Sequence, residues 1–398
     1  MAQGALHHPT FSELTRVSAR IGVLSFGGPA GQIALMHREL VDERRWVSED
    51  DYLQALNLCH LLPGPEAQQL ATWIGWKLHG WKGGFVAGAL FVIPGALVML
   101  ALSMLYALAA NLDWFAALFL FDAPFPLVVL TALALGAWVG AKRPDWLALK
   151  PAGPAGDGRP RPWRASVKAV LIWVAIWAAP MLAVLAFLGP DHVLWDIGVF
   201  FSQLAVVTVG GAYAVLAYMA QEAVSGFGWL SAGEMADGLG LAETTPGPLI
   251  MVTQFVGYLA AFRDPGPFSP LVAGVLGAVL TTWVTFAPCF LWIFAFAPWM
   301  DRLQRAPALK GGLAGVTAAV VGVIANLALW FALHVLFARV AVVEAGPLRL
   351  QSPELASFDW RAGVISVVAL VLIFALKRGI ITTLGVAAAM GLALGLLT

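Results

Sequence analysis

Charge is what this sequence has least of. Only 12% of its 398 residues are Asp, Glu, Lys or Arg, about half the roughly 25% of a soluble domain. The 23 basic and 23 acidic residues cancel, so the basic excess of a nucleic-acid binder is missing. Disorder needs low hydrophobicity and high net charge, and neither is present. Cysteine is nearly absent. Cys59 and Cys289 are the only two and both lie in apolar surroundings, which implies neither a disulfide framework nor a cysteine metal site. There is no P-loop and no dinucleotide fingerprint after a strand, so the chain reads as no enzyme, with no cofactor and no metal. What is present is hydrophobicity: 60% of the residues are hydrophobic and the mean hydropathy is +0.82. Apolar runs long enough to cross a bilayer recur, the mark of an all-α polytopic membrane protein. Glu13, Arg16 and Arg20 interrupt the first apolar stretch, so no cleaved signal peptide is expected there.

The chain repeats itself at an offset of 183 residues. Gly27-Gly28 returns as Gly210-Gly211, and Pro63-Gly64-Pro65 as Pro246-Gly247-Pro248. Between them Glu39, Trp46, Ser48, Leu56 and Leu58 match Glu222, Trp229, Ser231, Leu239 and Leu241. The ungapped stretch from Val23 to Pro65 holds 14 identities in 43 positions. Two homologous halves are expected: 1–141, then a basic, Pro/Gly-rich linker at 142–166, then 167–398.

Each half opens with two short helix pairs. These are expected at 11–26 with 29–44 and 50–62 with 65–80, and again at 192–209 with 212–224 and 231–243 with 248–262. Long spans follow at 83–109, 124–141, 167–188, 268–297, 312–337, 361–376 and 380–397. If the short pairs are re-entrant, 19 of the 23 Lys and Arg fall on the linker's side of the membrane, which the positive-inside rule makes cytoplasmic. The second copy of the basic Arg38–Arg45 segment, Gln221 to Gly228, has no Lys or Arg. Similar halves of opposite charge bias predict inverted topology.

Backbone groups left unpaired in hydrocarbon cost several kcal/mol, so helices break only where protein or water lines the break. Paired glycines alone often serve close packing. Repeated with Pro-Gly-Pro in both halves, they point to a midplane transport site. Prolines 65 and 248 suit a helix start, where free N–H groups and the helix dipole attract anions. The residues expected to line the site are Ser25, Phe26, Gly27, Gly28, Pro63, Gly64, Pro65, Gln68 and Gln69 in the first half. Thr208, Gly210, Gly211, Thr244, Thr245, Pro246, Gly247 and Pro248 are their counterparts in the second, with Thr72, Thr253 and Gln254 nearby. Glu66, His60 and Glu243 are candidates for proton coupling, because an ionisable group inside a membrane is a functional candidate. Arg38, Arg44 and Arg45 could gather anions at a cytoplasmic mouth, or simply set the topology.

At these residues the sequence resembles the chromate transporter family in its long, two-domain form. Ser25-Phe26-Gly27-Gly28-Pro29, Leu62-Pro63-Gly64-Pro65, Val209-Gly210-Gly211-Ala212 and Thr244-Thr245-Pro246-Gly247-Pro248 carry the resemblance, with Trp46-Val47-Ser48 between. It implies efflux of chromate from the cytoplasm across the cell membrane, with sulfate as a similar oxyanion, and it is compatible with a homodimer. An anion channel, or a carrier for sulfate or another anion, is the alternative. The sequence departs from the family pattern around Phe121 to Pro126, where Asp122-Ala123-Pro124 replaces a lysine-bearing stretch.

Overall fold

The computed structural model describes residues 8–25, 28–109, 134–135, 137–139, 141–142, 163–208, 212–299, 333, 336–337, 340–345, 348–376 and 380–396. The expected span at 124–141, most of the linker and most of the expected span at 312–337 lie outside them.

The first half begins with α1 (Phe11–Leu24), whose N-terminus is closed by a capping box between Thr10 and Glu13. After a break come α2 (Gly28–His37) and a π-helical turn, Arg38–Glu43. Next are α3 (Glu49–Leu61) and α4 (Glu66–Ala109). The helix α4 is not one rod. His79 and Gly80 leave helical geometry, so a 66–78 arm turns back into an 81–109 arm, close to the expected boundary at 80–83. Thirteen residues rise about 20 Å, short of the roughly 30 Å hydrocarbon core, whereas the second arm is long enough to cross.

The second half reproduces this order after α5 (Trp163–Phe187), a long apolar helix with no buried residue. It runs α6 (Val193–Val207), α7 (Ala212–Gln221) with a π-helical turn Glu222–Gly226, α8 (Ala232–Thr244), a 3-10 turn Leu249–Met251, α9 (Val252–Arg263) and α10 (Pro270–Phe296). The correspondence reaches single hydrogen bonds. Trp46 N–H donates to Leu40 O and Trp229 N–H to Ala223 O, each at 2.8 Å. Arg45 takes a left-handed backbone (φ 53°), and Gly228, its counterpart, takes φ 66°. Ser48 caps α3 through Asp51 N–H, and Ser231 caps α8 through Glu234 N–H.

Two further pairs show the repeat continuing at a different spacing. Gly83 corresponds to Gly277 and Pro94 to Pro288, each 194 residues apart rather than 183. Both long helices contain their proline mid-helix. Glycines let each hairpin close tightly. A Cβ at Gly75 would stand 2.3 Å from Gly83 O, and one at Gly277 would stand 2.3 Å from Gly257 O.

Two compact units partition the chain differently from the repeat: one comprises 1–116 and 123–323, the other 117–122 and 324–398. The second unit contains a departure from the all-α expectation. An antiparallel hairpin pairs β1 (Val340–Ala345) with β2 (Leu348–Pro353). Its strands are short and rich in β-branched and alternating residues, which suit a pleated pairing. Helices α11 (Trp360–Leu370), capped by Asp359, and α12 (Ile380–Leu396) complete this unit. They begin close to the expected 361 and 380.

Candidate functional site: two crossed helix breaks

Each Pro-Gly-Pro segment forms the tip of a helical hairpin whose base is held by an ion pair. In the first half Lys77 Nζ meets Asp51 Oδ1. In the second Arg263 binds Glu234 through Nη2 and also donates to Trp229 O. Asp51 and Glu234 are equivalent positions, each the third residue of its helix. Burial alone would raise the pKa of both carboxyls. The hydrogen bonds from Lys77 and Ser48 hold Asp51 below its ordinary value, and those from Arg263 and Ser231 do the same for Glu234.

At the tips, Gly64 (φ 110°) and Gly247 (φ 98°) adopt backbone that only glycine takes without strain. Their N–H groups cross between the halves. Gly64 N–H donates to Thr208 O at 2.7 Å, and Gly247 N–H donates to Ser25 O at 2.8 Å. Ser25 and Thr208 end α1 and α6 with nearly the same dihedrals, φ −78°, ψ 79° and φ −72°, ψ 83°. Each turn therefore seats on the helix break of the other half. The seats continue into the long helices. A Cβ on Gly64 would lie 2.7 Å from Cys289 Sγ of α10, and one on Gly247 would lie 3.1 Å from Gly95 Cα of α4. Gly95 and Cys289 follow the matched prolines, so the two seats are themselves equivalent. Gln32 of α2 locks one of them, its amide donating to Gly247 O.

The residues named from the sequence gather here in part. Ser25, Gln68, Gln69, Thr72, Thr208, Thr245, Thr253 and Gln254 are all buried. Their hydroxyls are committed to their own helices: Ser25 to Ile21 O, Thr72 to Gln68 O, Thr208 to Leu204 O, Thr245 to Leu241 O and Thr253 to Ile250 O, at 2.6–2.9 Å. An oxyanion at this point would meet backbone N–H first. The first α4 N–H to find a carbonyl in its own helix start is that of Gln69, which donates to Pro65 O at 3.1 Å, so the N–H groups of Glu66, Ala67 and Gln68 precede the ladder. Phe26, Gly27, Gly210 and Gly211 lie outside the described residues, as do the side chains of Thr244 and Glu243. The expected departure at 121–126 does too.

The ionisable candidates separate. Glu66 is buried at the start of α4, 7% exposed, whereas His60 is exposed at the end of α3. Of the three arginines, Arg44 binds the buried Glu39 and lies 6.0 Å from the Trp46 ring. Arg38 sits 3.7 Å from Glu43. In the second half Phe227 replaces Arg44 and stacks on Trp229 at 4.2 Å, so the first half's charge cluster has an aromatic counterpart.

A cavity of about 640 Å³ opens between α4, α5 and α10, lined largely by apolar side chains such as Phe85, Trp173, Phe286 and Phe290. A dianion gains nothing from such walls, and the polar breaks are the better host.

Comparison with known proteins decides the family. The chromate transporter model matches residues 12–190 and again 195–392. The chain belongs to the chromate transporter family. Relatives include a probable chromate transport protein of Synechococcus elongatus, 30% identical over 80% of this chain and 84% of that one. A chromate transport protein of Pseudomonas aeruginosa is 33% identical over 77% of both chains, and one of Cupriavidus metallidurans is 29% identical over 81% of this chain and 84% of its own. No solved structure matches the chain. A chromate transporter is a membrane-embedded carrier rather than an enzyme, which agrees with three described helices long and apolar enough to cross a bilayer. The matched seats at Gly95 and Cys289 escaped the sequence reading because they repeat at 194 rather than 183. The shared Pro94 and Pro288 were the available signal.

Proposed function

We propose that this chromate transporter exports chromate, and sulfate-like oxyanions, from the cytoplasm through the cell membrane by alternating access. The crossed seating of the two Pro-Gly-Pro turns carries this reading. It joins the halves through a pair of equivalent contacts, so one half can rock against the other about a fixed point. Hairpin arms of thirteen residues put the tips about 20 Å from their ion-paired bases, near the middle of a roughly 30 Å core. The helix start at Glu66 and the turn at Leu249 bring unpaired N–H groups and positive dipole ends to the anion. The halves are inverted in the membrane, with the 142–166 linker cytoplasmic. A dianion leaving a negative-inside cell gains roughly 4.6 kcal/mol per 100 mV, so export needs no ATP.

The test is chromate flux in proteoliposomes under an imposed potential, with sulfate competing. A carrier gives saturable, trans-stimulated flux that grows with outward driving potential. Linear, non-saturating flux makes the protein a channel, and no oxyanion flux overturns the reading.

A further inference from the structure

The free hydrogen-bonding atoms at the first-half break are not of the kind an anion uses. Gln68 and Gln69 are fully buried and Glu66 nearly so. The amide donors of both glutamines are already spent, Gln68 Nε2 on Thr72 Oγ1 at 3.1 Å and Gln69 Nε2 on Pro63 O. What remains without a partner in the protein is oxygen: Glu66 Oε2, Gln68 Oε1 and Gln69 Oε1. Thr285 Oγ1 is a fourth such atom. It lies one turn before Cys289, whose thiol abuts Gly64 together with Gln69 Nε2. A buried acceptor left unsatisfied costs about 1–3 kcal/mol, and three fall within four consecutive residues.

Packing does not call for this polarity. The equivalent second-half positions are Leu249, Met251 and Val252, all buried and apolar. The surplus of oxygens is confined to one half, although the crossed turns are equivalent.

We propose that the first-half break binds a sodium ion through the carboxylate of Glu66 and the amide oxygens of Gln68 and Gln69. Oxygen ligands select hard cations over soft metals, which want thiolate or imidazole. One carboxylate matches one positive charge, and it offsets the positive dipole end of α4 that would otherwise repel a cation. The next basic side chain along α4, Lys77, is held by Asp51. Broken helices in secondary carriers place coupling sodium ions against unpaired oxygens in this way. That the ion couples to oxyanion movement rests on the transport reading above; that it binds does not.

The experiment follows the unfolding midpoint of the purified full chain, with no chromate or sulfate present. NaCl is exchanged for KCl or choline chloride at fixed pH and ionic strength. The midpoint rises with sodium and saturates, as binding to the folded state requires, and does not rise with potassium. Gln68→Leu and Gln69→Leu each abolish the rise. The near-isosteric Glu66→Gln, which keeps the test alive if those two fail to fold, raises the sodium needed for half the effect by about tenfold or more. Equal curves in sodium and potassium overturn the proposal, as does a sodium response that survives in the variants. A response to pH alone overturns sodium in favour of a proton. Because no oxyanion is present, failure here leaves chromate flux untouched, and failure of flux leaves this result standing.

Discussion

At the scale of single residues, the glycines between the two pairs of prolines are the least replaceable. Both have positive φ, and each faces an occupied seat: a thiol beyond Gly64 and backbone beyond Gly247. Alanine at either position costs about 1–3 kcal/mol for the backbone alone. Gly64→Ala has the softer neighbour, since a cysteine side chain can rotate away. Gly247→Ala meets the Gly95 backbone, which cannot. Thermal unfolding of both variants should therefore show the larger loss for Gly247→Ala, and oxyanion flux should fall in both. Equal stability to the native chain in either would show that the seat gives way. Gly80, with φ 60° but nothing near it, isolates the backbone effect: Gly80→Ala should lower stability without removing transport. Glu66 supplies a second residue-scale test. If it exchanges protons during transport, Glu66→Gln flattens the pH dependence of flux; an unchanged profile removes Glu66 from any proton step.

Elements bring in the paired hairpins and their clamps. Asp51–Lys77 and Glu234–Arg263 tie each tip-bearing hairpin at its base, but their side chains are partly exposed, so each pair is worth roughly 0.2–1 kcal/mol. Both carboxyls have folded pKa values below their unfolded ones. Their contribution is therefore complete above the unfolded values of about 3.9 and 4.3 and is lost as pH falls through the lower folded values. Asp51→Asn and Glu234→Gln should lower the unfolding midpoint slightly at neutral pH, and the difference from the native chain should vanish in strong acid. A difference that persists unchanged there would mean that the clamps act through packing. Most of these elements were legible in the sequence. Serines at 48 and 231 announce helix starts, Pro-Gly-Pro announces the tips, and the short arms were placed to within a few residues because apolar runs and breaks coincide. The hairpin at 340–353 was not legible against so apolar a background. Nor was the crossing of the turns: an offset of 183 says that two segments are alike, but not that each rests on the other's partner. The commitment of every described threonine and serine hydroxyl at the breaks to its own helix is likewise a matter of rotamer, which residue type does not carry.

For the whole molecule, the open quantity is sidedness, and the repeat makes it measurable. Equivalent turns close the first long hairpin near Lys82 and the second near Asp264, both exposed. Parallel halves would put these turns on one face of the membrane; inverted halves put them on opposite faces. The charge pattern favours the second arrangement. Arg20, Arg38, Arg44, Lys77 and Lys82 accompany the first turn, while Arg44 gives way to Phe227 and Arg38 to Gln221 in the second copy. A basic segment belongs inside and its uncharged copy can lie outside. The buried Glu39 held by Arg44 sharpens this, because the equivalent Glu222 faces no arginine at position 227. The native cysteines are both buried, so a single introduced thiol reports on its own location. Lys82→Cys should react with a membrane-impermeant maleimide only in inside-out vesicles, and Asp264→Cys only in right-side-out ones. The ion-pair clamps are intact in both variants, and neither position touches the crossed turns. Labelling of both from the same side would remove the inverted arrangement, and with it the symmetry on which alternating access about the crossed turns depends.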